Sequence, residues 1–203
     1  MRVCPMRVRS TVLFLGTVGC ATQGVTPVPD EAAQADETKP TTQGHDTALA
    51  PPTVPPELAV PEGHEFTFRA PAEGVQIYEC AADASGALAW QLHAPRADLF
   101  DDCGAVIGRH YGGVDDGLPA GPYWEANDGS RVHGANPVSV PNPGSIPLLR
   151  LEAADTSGTG VFSDVTFIQR LDTIGGVVPA GACEAYARIE VPYTATYYCY
   201  SKS

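Results

Sequence analysis

The sequence predicts an all-β domain, a single β-sandwich or β-barrel with many short antiparallel strands and long Gly- and Pro-rich loops. Short runs rich in β-branched and aromatic residues recur at intervals of roughly 8–12 residues along most of the chain. The 21 glycines and 19 prolines separate these runs, as is typical of all-β domains with many turns. No segment keeps a helical period of apolar residues over the roughly 10–12 residues that would favour a helix.

The first predicted strands lie on either side of a turn. Residues Glu65–Ala70 alternate apolar and polar side chains, and Gly74–Cys80 are rich in β-branched and aromatic residues, so each is expected to form a strand. Leu88–His93 form a further strand after Asp83–Gly86, whose Asp, Ser and Gly favour a turn. We therefore expect a hairpin in this region.

The remaining strands are expected to follow one another through Gly- and Pro-rich breaks. The two most apolar are Ile146–Ala153 and Val161–Leu171, and alternation in the second places four apolar residues on one face. Those four residues are Val161, Val165, Phe167 and Leu171. The other predicted strands are Ala105–Tyr111, Tyr123–Ala126, Arg131–Gly134, Tyr186–Val191 and Thr196–Ser201.

The N-terminus has the features of a lipoprotein signal peptide over residues 1–19. Three arginines precede the apolar run Thr11–Gly19, which ends at Cys20 and is too short to span a bilayer. We expect cleavage before Cys20 and lipidation of its thiol, although Thr17 stands where a lipobox usually has Leu. Ala21 follows the cysteine rather than Asp, which indicates an outer-membrane lipoprotein. The alternative is ordinary secretion.

Composition divides the rest of the chain into a tether and a domain. Residues 20–56 are rich in Pro, Thr, Ala and Gln and have few large apolar side chains, so we expect a disordered tether; residues 57–203 should form the β domain. The net charge is −12, and because the leader contains three arginines and no acid, removing it makes the charge −15. Such an acidic surface disfavours nucleic-acid binding.

Four cysteines lie in the predicted domain, namely Cys80, Cys103, Cys183 and Cys199. An even number in an exported protein indicates two disulfides, and their spacing leaves three connectivities open. No pair has the C-x-x-C spacing of a zinc site, and no Gly-rich dinucleotide motif follows a strand. We therefore expect neither a metal nor another cofactor.

The stretch Val106–Gly134 holds the candidate ligand-binding residues. They are His110, Tyr111, Tyr123, Trp124, Glu125, Asp128 and His133. Aromatic rings beside acids are typical of a small-molecule or carbohydrate site, imidazoles beside acids could hold a metal, and paired carboxylates such as Glu125 and Asp128 could hydrolyse a glycosidic bond. The alternative is that the aromatic residues pack in the core while the His and Asp side chains hydrogen-bond loop backbone.

Several motifs in the right order resemble the DUF3455 family. They are GVQIYEC (74–80), ADLFDD-x-G-x-x-IG-x-HY (97–111), W-E-x-x-DGS (124–130), VTFIQRLDTIGG (165–176) and VPYTATYYCY (191–200). The resemblance covers roughly residues 56–201. It implies an exported, compact, all-β domain with no established activity, and it supplies no catalytic residue.

The resemblance also bears on the cysteines and on one loop. Family members usually have Cys at the positions of Cys80 and Cys183 but not at those of Cys103 and Cys199. The resemblance therefore implies the pairs Cys80–Cys183 and Cys103–Cys199. The link between His110-Tyr111 and Trp124 is longer than in the family, which indicates a surface insertion.

Together these observations favour a cell-envelope lipoprotein that is a non-enzymatic binding or surface-interaction module. Its expected partners are the membrane, through the lipid, and a small-molecule or carbohydrate ligand; the sequence indicates no particular protein partner. The alternative is an envelope hydrolase that acts on carbohydrate or another small substrate through residues 106–134.

Overall fold

A computed structural model describes residues 50–203, which form a closed barrel of eight antiparallel strands. Each strand pairs with the next along the chain, and the last pairs with the first. The strands are β1 (His64–Ala82), β2 (Leu88–Phe100), β3 (Val106–Gly112), β4 (Pro122–Ala126), β5 (Arg131–Val140), β6 (Leu148–Ser157), β7 (Val165–Gly175) and β8 (Arg188–Lys202). The all-β prediction is confirmed, and of its two forms the chain adopts the barrel.

The predictions made for residues 1–49 lie outside the described residues. These are the signal peptide, lipidation at Cys20 and most of the tether. Within residues 50–203, no helix is both long and apolar enough to cross a membrane.

The strands at the closure of the barrel are longer than the sequence predicts. Strand β1 joins two predicted strands through Pro71, and β8 likewise joins the last two. Pro71 fits within β1 because pairing with β2 begins only at Ala72, so the proline has a neighbouring strand on one side alone. Pairing between β1 and β8 extends from His64 to Glu79.

The predicted face of the strand Val161–Leu171 is wrong. Strand β7 begins only at Val165, and a register shift against β8 lies between Val165 and Phe167. The irregularity rotates the chain, so Val165 packs inside the barrel while Phe167 and Leu171 pack in a separate cluster with Leu58. Val161 precedes the strand and is 50% exposed.

One end of the barrel is closed by the connection between β6 and β7. Phe162 in that connection is fully buried in the interior core and packs against Phe68, with ring centroids 5.5 Å apart. Asp128 and Ser130, in the turn between β4 and β5, accept hydrogen bonds from the backbone N–H groups of Val161 and Phe162. The turn between β4 and β5 therefore holds Phe162, the aromatic plug, in place.

A second apolar cluster lies outside the barrel, where the segment before β1 crosses β6, β7 and β8. Leu58 is fully buried there beside Tyr198 and Tyr200. Gln169 donates from Nε2 to the Leu58 carbonyl at 2.6 Å and accepts from the Tyr200 hydroxyl at 2.8 Å. These bonds hold the segment before β1 against the outside of the barrel.

The prediction for the cysteines is half right. The Cys80–Cys183 disulfide is confirmed and joins β1 to the connection between β7 and β8, across a separation of 103 residues. The predicted Cys103–Cys199 disulfide is wrong, because Cys199 is a free thiol. It faces the barrel core and is fully buried, whereas Cys103 lies in the exposed turn after β2.

Candidate ligand-binding cavity

The end of the barrel opposite the Phe162 plug contains a cavity of about 320 Å³. Apolar side chains from five strands and the β3–β4 connection line most of its wall, among them Leu92, Val114, Leu149 and Leu151. Leu92 and Val114 are each 57% exposed, so the cavity opens to solvent between them. Its volume is at the lower end of the range of about 300–1,000 Å³ that is usual for small-molecule sites.

Two of the seven candidate residues, His110 and Trp124, lie in this cavity. They face each other across β3 and β4, and Val132 of β5 follows Trp124 in the same row. Because side chains alternate between the two faces of a strand, this row points into the barrel. His110 is 2% exposed, Trp124 1% and Val132 0%.

The His110 imidazole is fixed by a hydrogen bond and two ring contacts. Its Nδ1 donates to the Tyr123 carbonyl at 2.8 Å, so in the neutral ring Nε2 is an acceptor. The ring stacks on Trp124 and contacts Tyr197, with centroids 4.5 Å and 4.9 Å apart. Burial lowers the pKa of His110 to about 3, so the imidazole is neutral at physiological pH.

The absence of a side chain at Gly134 lets the Trp124 ring lie against the barrel wall. A Cβ at this position would lie 2.8 Å from Trp124 Cζ3 and 3.1 Å from Leu151 Cδ2. Similarly, a Cβ at Gly112 would lie 2.7 Å from the Cβ of Ala94. These glycines leave room for side chains of neighbouring strands at the cavity wall.

Arg170 brings a positive charge to the cavity wall. It lies in β7 between Leu149 of β6 and Tyr197 of β8, both of which also line the cavity. Its Nε and Nη2 donate to the Pro147 carbonyl at 3.2 Å and 2.9 Å. Burial raises the pKa of the Tyr197 hydroxyl, and the neighbouring Arg170 charge partly opposes that rise.

Two buried N–H donors of cavity residues make no hydrogen bond within residues 50–203. They are Nε2 of Gln76 and Nε1 of Trp124, and both side chains are 1% exposed. Because a buried donor without an acceptor costs about 1–3 kcal/mol, such groups in a native fold require an explanation. Both side chains belong to the cavity wall, but each nitrogen exposes less than 1 Å², so an acceptor in the cavity would reach it only after a small shift of the side chain.

The β3–β4 connection forms the rim of the cavity. Gly113, Val114, Ala120 and Gly121 all contribute to the wall. His93 of β2 donates from Nε2 to the Asp115 carboxylate at 2.9 Å and so fastens the connection to the neighbouring strand. The long link between β3 and β4, which the sequence indicates to be a surface insertion, therefore shapes the opening.

Four other candidates lie on the outer face of the barrel, where they contact one another. Tyr111, Tyr123 and His133 form a row across β3, β4 and β5, with centroid separations of 5.7 Å and 4.3 Å. The Tyr111 hydroxyl donates to Glu125 Oε2 at 2.7 Å. Both tyrosines are at most 6% exposed, so they offer no open ring face on which a sugar could stack.

Asp128, the seventh candidate, lies at the closed end and fixes backbone. Its Oδ1 accepts from the N–H and hydroxyl of Ser130 at 2.9 Å and 2.6 Å, and its Oδ2 accepts from Val161 N–H at 2.9 Å. The Ser130 hydroxyl and these N–H groups lower the pKa of Asp128. The alternative stated from the sequence, with core aromatic residues and with His and Asp bound to loop backbone, describes Asp128 and also His133, whose Nε2 donates to the Ala120 carbonyl at 3.3 Å. Trp124 both packs in the core and lines the cavity, as does His110 from the same row.

The candidate stretch omits nine residues that line the cavity, among them the polar Gln76, Arg170 and Tyr197. Gln76, Arg170 and Tyr197 belong to β1, β7 and β8, far from the stretch along the sequence. The sequence carried one signal for two of them, since Gln76 and Arg170 are polar residues within largely apolar strand segments. Among residues 50–203, no group of three or more His, Cys, Asp or Glu side chains is placed to hold a metal ion.

Fold and site define a closed, up-and-down β-barrel with a plugged end and an apolar cavity at the other end. The family model for DUF3455, a protein of unknown function, matches residues 61–106 and 103–201. The chain therefore belongs to the DUF3455 family. No curated protein and no solved structure matches it.

Proposed function

We propose that this protein is a non-enzymatic binding module that holds a small, largely apolar molecule in the open-end cavity. The observation that supports this most directly is a solvent-open cavity of about 320 Å³ whose wall contains two buried donors without acceptors. Apolar walls with a few placed polar groups are typical of small-molecule sites. The wall would supply burial, and the polar groups would orient the ligand.

The positions of the acids favour binding over hydrolysis. Glu125 is bound by Tyr111 and Arg109 on the outer face, and Asp128 fixes the plugged end. Within residues 50–203, no Asp or Glu lines the cavity. The two histidines that line it are held by other groups, His93 by Asp115 and His110 by the Tyr123 carbonyl. Glycoside hydrolysis ordinarily needs a pair of carboxylates at the scissile bond, so we do not extend the proposal to the hydrolase alternative.

We further propose that the barrel works in the cell envelope, anchored by a lipid on Cys20. The support is the sequence pattern of residues 1–20, an arginine-rich start followed by a short apolar run and a cysteine. Expression of wild type and Cys20→Ser with metabolic labelling by a fatty acid tests the anchor. Label in the wild type alone is expected, whereas label in both or in neither would contradict it.

Titration with N-phenyl-1-naphthylamine, a neutral dye that brightens in apolar surroundings, tests the cavity. We expect the wild type to bind the dye saturably. Leu149→Trp should bind the dye at least tenfold more weakly, because the larger ring would occupy part of the cavity. Leu148→Trp is the matched control. Leu148 precedes Leu149 in β6 but packs in the outer cluster with Leu58, so the same change there should leave dye binding intact.

Circular dichroism would establish that both variants fold. Absence of saturable dye binding by wild type, or equal loss of binding in the two folded variants, would contradict the proposed site.

A further inference from the structure

Arg170 carries a positive charge in the cavity wall, and no carboxylate of residues 50–203 forms an ion pair with it. Arg69, Arg96, Arg109 and Arg188 each pair with a carboxylate on the outer surface. Arg131, Arg150 and Arg170 form no such pair with an Asp or Glu of residues 50–203, and of these three it is Arg170 that lines the cavity. Its hydrogen bonds to Pro147 go to a neutral carbonyl. A guanidinium has five N–H donors, so the two bonds to the Pro147 carbonyl and the interaction with the Tyr197 hydroxyl leave donors for another acceptor.

The rest of the polar wall is also suited to an acceptor. Gln76 Nε2 and Trp124 Nε1 are donors without acceptors, and Arg170 shares the cavity with both. Arg170 thus brings a charged donor to a largely apolar wall, and two neutral donors belong to buried side chains of the same wall. Guanidinium geometry matches both carboxylate and phosphate, and the smaller, singly charged carboxylate is the better fit to a small, largely apolar cavity.

We propose that the cavity selects apolar molecules that carry a carboxylate, and that Arg170 binds the carboxylate while the apolar wall encloses the hydrocarbon part. This rests on the proposed function, since it names the class of ligand for the same cavity. Gln76 and Trp124 supply further donors to the polar end of the ligand. Reduced solvation in the cavity strengthens the attraction between the guanidinium and the carboxylate.

The overall negative charge of the chain opposes the binding of a carboxylate, so a measured preference for a carboxylate would be informative. The net charge of −12 repels anions at long range, and salt screens that repulsion beyond about 8–10 Å. Any preference for an anion must therefore come from the cavity itself. Nonspecific adsorption to an acidic, partly apolar surface would favour a neutral alcohol instead.

Displacement of bound N-phenyl-1-naphthylamine by octanoic acid and by octan-1-ol at neutral pH tests the proposal. The two probes have chains of equal length and differ at the polar end. For wild type, we expect octanoate to displace the dye at a concentration at least tenfold lower than octanol. Arg170→Met should abolish that preference, and Arg170→Lys, which retains the charge, should restore part of it.

Dye binding separates this inference from the proposed function. If wild type binds the dye but octanol displaces it as well as octanoate does, carboxylate selection is wrong while the cavity remains a binding site. If wild type does not bind the dye, the proposed function fails. An undiminished octanoate preference in dye-binding Arg170→Met would also overturn the role of Arg170.

Discussion

The imidazole of His110 lies almost parallel to the indole of Trp124, with centroids 4.5 Å apart and an angle of 17° between the planes. Both side chains come from the same cross-strand pair of β3 and β4. The stacked pair forms one wall of the cavity, while the bond from His110 Nδ1 to the Tyr123 carbonyl fixes the ring. This wall is therefore rigid and uncharged at neutral pH.

Burial of His110 should make the barrel less stable in acid. Its pKa is about 3 in the folded chain and about 6.5 in the unfolded chain, so between these values the unfolded state binds the proton more readily. The stabilisation is complete above pH 6.5 and falls as the pH drops toward 3, by up to about 1.4 kcal/mol per pH unit. Urea unfolding at several pH values measures this slope.

His110→Gln provides the control for this slope. Carboxylates such as Asp128 also have lowered pKa values and destabilise the fold in acid, but they remain in the variant. The wild-type slope between pH 6 and 4 should therefore exceed that of His110→Gln. Equal slopes would mean that His110 is protonated readily in the folded barrel.

Asp128 should matter more for stability than Asp83, although both form the same kind of turn. Each accepts from the N–H and hydroxyl of the serine two residues later. The third donor differs, because Asp83 accepts from Ala87 N–H within its own turn, whereas Asp128 accepts from Val161 N–H in another connection, beside the Phe162 plug. We expect Asp128→Ala to lower the free energy of unfolding by about 1–3 kcal/mol, and Asp83→Ala to lower it less. Urea unfolding would contradict this if the two losses were equal.

The hydrogen bond between His93 and Asp115 should slow ligand exit. Asp115→Ala removes the attachment of the rim to β2, and because an exposed ion pair contributes up to about 1 kcal/mol, dye dissociation should accelerate up to about fivefold. Asp116→Ala is the matched control, since Asp116 has only a 3.9 Å contact to Arg109. Stopped-flow dye dissociation measures both rates, and unchanged dissociation from Asp115→Ala would refute a latch.

The sequence predicts single strands and turns better than the pairing of distant strands that closes the barrel. Turn chemistry at Asp83–Gly86 and alternation in β1 are encoded within a few residues, and the predicted hairpin is present. The stretch Val106–Gly134 contains His110 and Trp124, so part of the cavity could be found from composition. Alternation along β3 separates His110 from Tyr111, but the sequence does not show which of these two faces points into the barrel.

The remaining cavity residues depend on contacts that a single segment does not encode. Arg170 and Tyr197 meet His110 and Trp124 because strands distant in sequence share one barrel interior. The bulge after Val165 reverses which residues face inward, and a regular period of two cannot anticipate it. The same limit explains the wrong cysteine pair, since the inward direction of Cys199 follows from the register of β8.

Quenching of Trp124 by a brominated apolar alcohol tests the binding cavity most directly. The chain has two tryptophans, so Trp90→Phe leaves Trp124 as the emitter and Trp124→Phe leaves Trp90. Bromine quenches indole on contact, and Trp124 is 1% exposed, so quenching must come from a molecule within the cavity. We expect saturable quenching in Trp90→Phe and none in Trp124→Phe. Unquenched Trp124 emission, or equal unsaturable quenching in both variants, would contradict binding in the cavity.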